Sequence, residues 1–200
     1  MQNLVYFKGM RIKKAELKDC ARVADIHIEQ IKTGFLSSLG KKFLKYFYSS
    51  MVDSDNAFLL VASDDNISGF ISGVVDLNKF YSEFVRKYFF VSLPIIFKKL
   101  LSLKKIIETM RYAKKESDLP GAELLTLAVL DSLKGQGVAT KLLAAFNQEM
   151  KRRGVAEYKV LAGTELLRAN GFYLKNGFVL HHRESIHKGK TSNVYLYKIL

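Results

Sequence analysis

Between Val129 and Leu143 the sequence reads VLDSLKGQGVATKLL, with Gly135 and Gly137 separated by one residue. They stand between a run of strand-forming residues and a strongly amphipathic helical pattern. Glycine at a helix start costs roughly 0.5–1 kcal/mol against alanine. A bare backbone is therefore required there. At a strand-to-helix junction the first helical amides have no intrahelical partner, and the positive end of the helix dipole adds to them. Such a junction is a phosphate-binding site when small residues let the ligand approach the backbone.

The formal net charge of +13 over 200 residues favours anionic ligands: phosphorylated cofactors, nucleic acid or membrane surfaces. The excess is spread out, and no block of five or six consecutive basic residues occurs, which argues against a nucleic-acid arm. Hydrophobic content of 48% suits a globular core. Cys20 is the single cysteine, so no internal disulfide forms, and a cytoplasmic location is expected. No apolar run approaches the roughly 18 residues of a membrane span. Residues 1–9 read as an appended or disordered leader, with Met10 opening the domain.

Along the chain, MRIKKAEL reads as a first strand. Asp19 is placed to cap a helix whose inner stripe is Cys20, Val23, Ala24, Ile28 and Ile31. Gly34 and Gly40 punctuate the next stretch, and a second helix carries Phe43, Leu44, Phe47, Tyr48 and Met51. AFLLVASDDNISGFISGVVDL reads as a hairpin around Asp-Asp-Asn. Residues 78–118 form an apolar, basic, helical insertion. AELLTLAVL is the next strand, and a helix follows from about Val138 to Arg152. EYKVLAG is a strand, Glu165–Lys175 a helix, and GFVLHHRESI with NVYLYKIL a final antiparallel pair. The expected fold is a single mixed α/β domain, α+β-like, over residues 1–200. Its central, mostly antiparallel sheet has about six or seven strands flanked by helices, with the insertion between the third and fourth strands.

Two familiar phosphate loops do not fit. GQGVATK lacks the Gly-Lys-Ser/Thr ending of a P-loop. Thr140 occupies the third small position of a dinucleotide fingerprint, and no acid ends a second strand at the expected distance. LKGQGVATKLL instead resembles the Arg/Gln-x-x-Gly-x-Gly/Ala signature of the GNAT acetyltransferases, with Lys134 at the Arg/Gln position and Ala139 at the last small one. ANGFYLKNGF resembles the same family's Ala-x-x-x-Tyr-x-x-x-Gly-Phe segment, through Ala169, Tyr173, Gly177 and Phe178. The likeness covers the chain outside residues 78–118.

That resemblance implies an acetyl-CoA-dependent N-acetyltransferase that needs no metal. It implies that the strand before the loop splays from its neighbour and holds the pantetheine arm through Leu127, Ala128 and Val129. The pyrophosphate would rest on the amides of Lys134, Gly135, Gln136, Gly137, Val138, Ala139 and Thr140. Lys134 and Lys141 would add charge-assisted contacts. Glu123 resembles the strand carboxylate that serves some members as general base. An even spacing from Leu127 and Val129 puts it on their face. Tyr173 matches the tyrosine that protonates the departing thiolate. Relatives often carry an asparagine where this chain has Leu166, so that cofactor contact is expected from Thr164, Asn170 or backbone.

The plainer readings are a solvated acid for Glu123 and a core tyrosine for Tyr173. His181 and His182, adjacent in a strand, should point to opposite faces and form no compact metal site alone. His27 reads as a packed or partly exposed imidazole. The resemblance places the acceptor beside the first interhelical loop, with Phe35 and Leu36. The aromatic insertion packs internally, supports a homodimer or binds an apolar acceptor. The acceptor amine belongs to a small molecule or a protein. A basic surface repels polyamines and suits an acidic peptide terminus or a phosphorylated amino sugar. The rival class is a non-catalytic binding module on the same fold, for nucleic acid.

Overall fold

The computed structural model describes residues 10–32, 34–97, 119–187 and 190–199. Strand β1 (Arg11–Lys14) leads through a 3-10 turn into α1 (Cys20–Gln30), the short α2 (Phe35–Ser38) and α3 (Lys41–Asp53). The hairpin β2 (Ala57–Ser63) and β3 (Ile67–Val74) precedes α4 (Leu77–Phe97). Then come β4 (Glu123–Val129), α5 (Val138–Arg152), β5 (Glu157–Gly163), α6 (Leu167–Lys175), β6 (Val179–His187) and β7 (Lys190–Lys198). The seven strands form one sheet in the order β1-β2-β3-β4-β5-β7-β6. Every pairing is antiparallel except β4 with β5.

Each sheet face buries its own apolar layer, which is why β2 and β3 are buried along almost their whole length. On one face α1, α3 and α4 bring Val23, Leu44, Phe47, Phe80 and Phe84 onto Val61, Phe70 and Val74. On the other, Leu142 and Phe146 of α5 and Tyr173 of α6 pack on Ile71, Leu124, Tyr158, Val160 and Tyr195. Phe80 and Phe84 meet Phe47 edge-on at 5.6 and 5.7 Å between centroids. The start of the insertion thus packs internally. α4 kinks at Tyr88 (φ −112°, ψ 16°). The leader at 1–9 and the rest of the insertion from 98 to 118 lie outside the described residues.

Three local expectations change. Asp19 does not cap α1. Its carboxylate accepts the Glu16 amide at 3.0 Å, because a 3-10 turn (Leu17–Asp19) intervenes and takes the capping box. Ile28 is exposed rather than on the inner stripe. The helix expected from Glu165 starts at Leu167, because a tight turn from Gly163 to Leu166 takes its first residues.

Glu149, near the C-terminal end of α5, is buried against three cations. Arg152 donates through Nε and Nη2 at 2.8 and 2.6 Å, Arg153 through Nε at 2.7 Å, and Lys14 of β1 lies 3.3 Å away. The Arg152 hydrogen bond, with those of Arg153 and Lys14, holds the carboxyl down at about 2. A depressed folded-state pKa adds stability that is present above the unfolded value and lost as pH falls through the folded one. Glu149→Gln should therefore destabilise at pH 7 by on the order of 2 kcal/mol, after allowance for the exposed Arg152 and Lys14. In urea titrations that difference should vanish as pH falls from 4.5 toward 2.

Candidate active site

The ladder between β4 and β5 is short: only Glu123 with Lys159 and Leu124 with Val160 are in register. Beyond Leu124 the two parallel strands diverge toward their C-terminal ends. On its other edge β4 stays paired to β3 as far as Val129. The register shift opposite Ser72 and Gly73 leaves Leu125 as an extra residue, a β-bulge where pairing with β5 stops. The β5-facing backbone of Leu125, Leu127 and Val129 is thereby released from the ladder, whereas Ala128, opposite Phe70, turns its amide and carbonyl to β3. Buried backbone groups demand partners, so this edge is a strip of hydrogen-bonding groups open to a ligand. The expected splay is present.

The bulge moves Glu123. Its one extra residue switches the alternation, so Glu123 does not share the face of Leu127 and Val129. Those two pack with the α5 layer. Glu123 sits opposite Val74, and Thr126 opposite Ser72, on the face covered by α1, α3 and α4. Parity counting across β4 fails for that reason.

β4 runs into a 3-10 turn (Asp131–Leu133) and then the glycine loop. Gly135 (φ 79°) and Gly137 (φ 77°) are both left-handed, and no atom lies within 4 Å of where a Cβ would stand on either. Gly137 is the N-cap of α5 and no side chain caps the helix. The amides of Gly137, Val138, Ala139 and Thr140 therefore have no intrahelical acceptor, and Thr140 and Gly137 are exposed. The Gln136 amide is bound to Leu133 O at 3.3 Å, and its side chain donates to Ser132 O at 2.9 Å. Lys134 is ion-paired with Asp131. The loop is thus pre-shaped for an anion, and the glycines supply the conformation rather than room for a neighbour.

Burial pushes the Glu123 carboxyl up to about 7, against the charge of Lys159 and with that of Glu184. Lys159 is itself buried and donates to Pro120 O at 3.1 Å. Tyr81 of α4 is close enough for burial and the Glu123 charge to raise its phenol. Lys159 escaped the sequence reading, although it is the lone cation inside EYKVLAG.

On the other face Tyr173 is 7% exposed and sits against Phe178, Phe172 and Tyr195, with centroids at 5.1, 5.6 and 6.0 Å. Burial raises its phenol further, so it stays protonated. Asn170 is committed to the protein. Its amide donates to Gly163 O and Leu166 O at 2.9 and 2.8 Å, and its oxygen accepts from Asn193 and Tyr195 at 2.7 and 2.8 Å. Thr164 is bound to Thr191 O. Leu166 is 44% exposed at the start of α6. Phe35 opens α2, and Leu36 is half-buried against the α1/α3/α4 layer together with Tyr81 and Leu125.

His181 and His182 do not separate onto opposite faces. A bulge between Leu180 and His182 brings their Nδ1 atoms to 2.7 Å. Among the described residues there is no cluster of three or more His, Cys, Asp or Glu that would hold a metal. Nor is any described helix long and apolar enough to cross a membrane.

Residues 99–180 match the family model described as the acetyltransferase (GNAT) domain. Comparison with curated protein sequences returned no match. Solved structures match along nearly the whole chain. PaiA N-acetyltransferase from Thermoplasma acidophilum, in complex with coenzyme A, has a TM-score of 0.62 at 15% identity, covering 94% of this chain and 98% of that one. The ribosomal-protein-S18-alanine N-acetyltransferase from Escherichia coli gives 0.62 at 15%, covering 95% and 94%. NAA60 from Arabidopsis thaliana, with a bisubstrate analogue, gives 0.62 at 13%, covering 94% and 97%. The sheet order, the split and the glycine loop define the GNAT fold. Residues 99–180 match the GNAT domain, and the chain as a whole has the GNAT fold.

The raised carboxyl has a sign that can be checked. A carboxylate whose folded-state pKa lies above the unfolded 4.5 costs stability as pH rises toward and past about 7. Glu123→Gln should therefore be more stable than the wild type at pH 8, by on the order of 2 kcal/mol. The two proteins should converge below pH 4.5, as read from urea midpoints.

Proposed function

We propose that the protein transfers the acetyl group of acetyl-CoA to a primary amine by direct attack on the thioester. The observation that carries this reading is the β4–β5 split, with the open glycine loop at its end and a carboxyl of raised pKa at its apex. Acetyl-CoA supplies an acyl group activated as a thioester. In this reading the freed backbone of Leu127 and Val129 binds the pantetheine arm, with Ala128, paired to Phe70, between them. The amides of Gly135 and of Gly137 to Thr140 bind the pyrophosphate, those of Lys134 and Gln136 being bonded to Asp131 O and Leu133 O. Lys134 leaves Asp131 to meet a phosphate. Asn170, its amide already engaged, holds the β5–α6 turn in shape, and the cofactor contact expected from it falls to backbone.

Glu123 and Tyr173 lie on opposite faces of the sheet, and the split is the gap between them. An amine entering from the Glu123 side, past Phe35 and Leu36, meets the thioester in that gap. Glu123 takes one proton from the ammonium, directly or through water. The neutral nitrogen forms the new C–N bond as the C–S bond breaks. Tyr173 gives its proton to the departing sulfur, and the second proton shed by the new amide nitrogen restores the phenol through water. A base with a pKa of about 7 is matched to this work at neutral pH. The single cysteine, free and buried, suits a reducing compartment such as the cytoplasm. Proteins of similar structure are described as acting on a protein alanine or as N-acetyltransferases more broadly. For this chain the acceptor is read as an amine carried by an acidic peptide or a phosphorylated sugar.

Thermal unfolding tests the cofactor half. Acetyl-CoA at a hundred times its Kd should add about 2.7 kcal/mol, a Tm rise of roughly 5–10 °C for a chain of this size. Gly135→Glu should abolish the rise, because its carboxylate and side chain meet the pyrophosphate. No rise in the wild type at millimolar acetyl-CoA would sink the reading.

Kinetics test the other half, on a panel of acidic peptides with free α-amines, glucosamine 6-phosphate and spermidine. kcat/KM should fall below a limb near pH 7, and Glu123→Gln should remove that limb with a loss of roughly 10²–10⁴-fold. Tyr173→Phe should lose a comparable factor with Tm within about 2 °C of wild type. Preferred turnover of spermidine would overturn the acidic-acceptor assignment.

A further inference from the structure

A buried polar chain runs through the apolar layer between α1 and α3, where neither the fold nor the mechanism calls for one. His27 of α1 is 2% exposed, yet both of its ring nitrogens have partners. Nδ1 is 2.5 Å from the Tyr48 hydroxyl of α3, and Nε2 is 3.0 Å from the Ser37 hydroxyl of α2. Ser37 donates its one proton to Ile31 O at 2.5 Å. It must therefore accept from His27, which puts the imidazole proton on Nε2. Nδ1 then accepts the Tyr48 proton, and the Tyr48 oxygen takes a hydrogen bond from Thr126 of β4. Every proton in the series Thr126–Tyr48–His27–Ser37–Ile31 has one consistent place.

The two ends of this series matter. Thr126 follows the Leu125 bulge, on the same sheet face as Glu123. Ser37 and Ile31 belong to the connection between α1 and α3. That segment has little holding it by itself: α2 is four residues long, and its N-cap, Gly34, makes no side-chain cap. At the root of the connection, Gln30 bonds to Asp131 and the charge of Lys32 is felt there, although Lys134 is the main partner that lowers this carboxyl. The connection therefore lies between the entry to the glycine loop and the Glu123 face.

We propose that His27 is a positioning residue that fixes the Ile31–Gly40 connection to β4 through Tyr48 and Ser37. This sets the wall of the acceptor site at a defined distance from the bulge. The inference rests on the acceptor reading given above. A hydrocarbon side chain in place of His27 would fill the layer and leave the hydroxyls of Tyr48 and Ser37 unpaired. The imidazole spans the two because its nitrogens sit on opposite edges of one rigid ring. A glutamine at 27 keeps a donor near the Nε2 position and loses the acceptor for Tyr48.

The test uses the full chain with Ser37→Ala, Ser37→Thr and His27→Gln. Ser37 is half-buried in the four-residue helix α2, so its variants leave the core intact. Amide hydrogen exchange of residues 34–40 reads the tether without any acceptor. Protection there should fall about tenfold in Ser37→Ala and His27→Gln, and return in Ser37→Thr. In steady-state assays with the panel's fastest amine, KM for the amine should rise about fivefold in the first two variants. kcat and the acetyl-CoA Kd should stay within about twofold. Unchanged exchange in both variants would overturn the tether itself. Lost protection with an unchanged amine KM would overturn its service to the acceptor, whereas absence of turnover with every amine in the wild type would overturn the acceptor reading instead.

Discussion

β4 cannot pair with both neighbours along its whole length, and most of what distinguishes this structure follows from that constraint. The strand stays bonded to β3 throughout, but its ladder with β5 ends at Leu124. An opened sheet is normally costly, since each unpaired backbone group in a dry interior forfeits a hydrogen bond. It is tolerated here because the apolar layers bridge the split: α1, α3 and α4 cover β1 to β4 on one face, while on the other α5 packs on β2, β3 and β4 and reaches Tyr158 of β5 through Phe146. The Leu125 bulge relieves the geometry by letting β4 bend away exactly one residue after the ladder stops. The site is therefore a defect in the sheet that a ligand with a long polar arm is shaped to repair.

The same defect divides the chemistry by face. Helix N-terminus, glycine loop and Tyr173 lie with the α5 and α6 layer, whereas Glu123, Lys159 and the connection from Ile31 to Gly40 lie on the opposite side. A donor and an acceptor can thus approach from different directions and meet only at the split. The electrostatics agree. The net charge of +13 is carried largely at the surface, where it favours an anionic cofactor at long range. At the apex, burial rather than charge dominates: desolvation lifts Glu123 in spite of the neighbouring ammonium of Lys159.

The elements and their order were legible in the sequence because they are written in local periodicity, and the glycine loop because its residues are consecutive. The seven strands and the open loop follow from those signals, whereas which strand pair runs parallel does not. Legibility ended where one residue changes a pairing. Nothing in ELLTLAV marks Leu125 as an extra residue, so the alternation placed Glu123 on the wrong face. The same kind of shift hid the contact between His181 and His182. Asp19 looked like a helix cap because its spacing suits one; the 3-10 turn that displaces it is a choice between two local hydrogen bonds of similar worth. The Thr126–Tyr48–His27–Ser37 series joins four separate elements. In sequence it shows only as single polar residues in apolar stripes, a signal indistinguishable from ordinary tolerance.

Stability and activity pull against each other at Glu123, and the arrangement of charges elsewhere shows how the fold accommodates this. Near neutral pH a carboxyl with a pKa of about 7 is close to half ionised, so enough base is present for proton abstraction while the cost of the buried charge is only partly incurred. A lower pKa would give more base but a weaker one; a higher pKa would leave little of it deprotonated. Glu149 is the opposite case. Its side chain is buried where that of Glu123 is half-buried, but it is surrounded by Arg152, Arg153 and Lys14, which hold it ionised and tie β1 to α5. Two glutamates of one domain, one buried and one half-buried, thus have pKa values on opposite sides of the ordinary one. The difference lies in their partners: the one with three cations serves the fold, and the one with a single, partly diverted lysine is left available for chemistry.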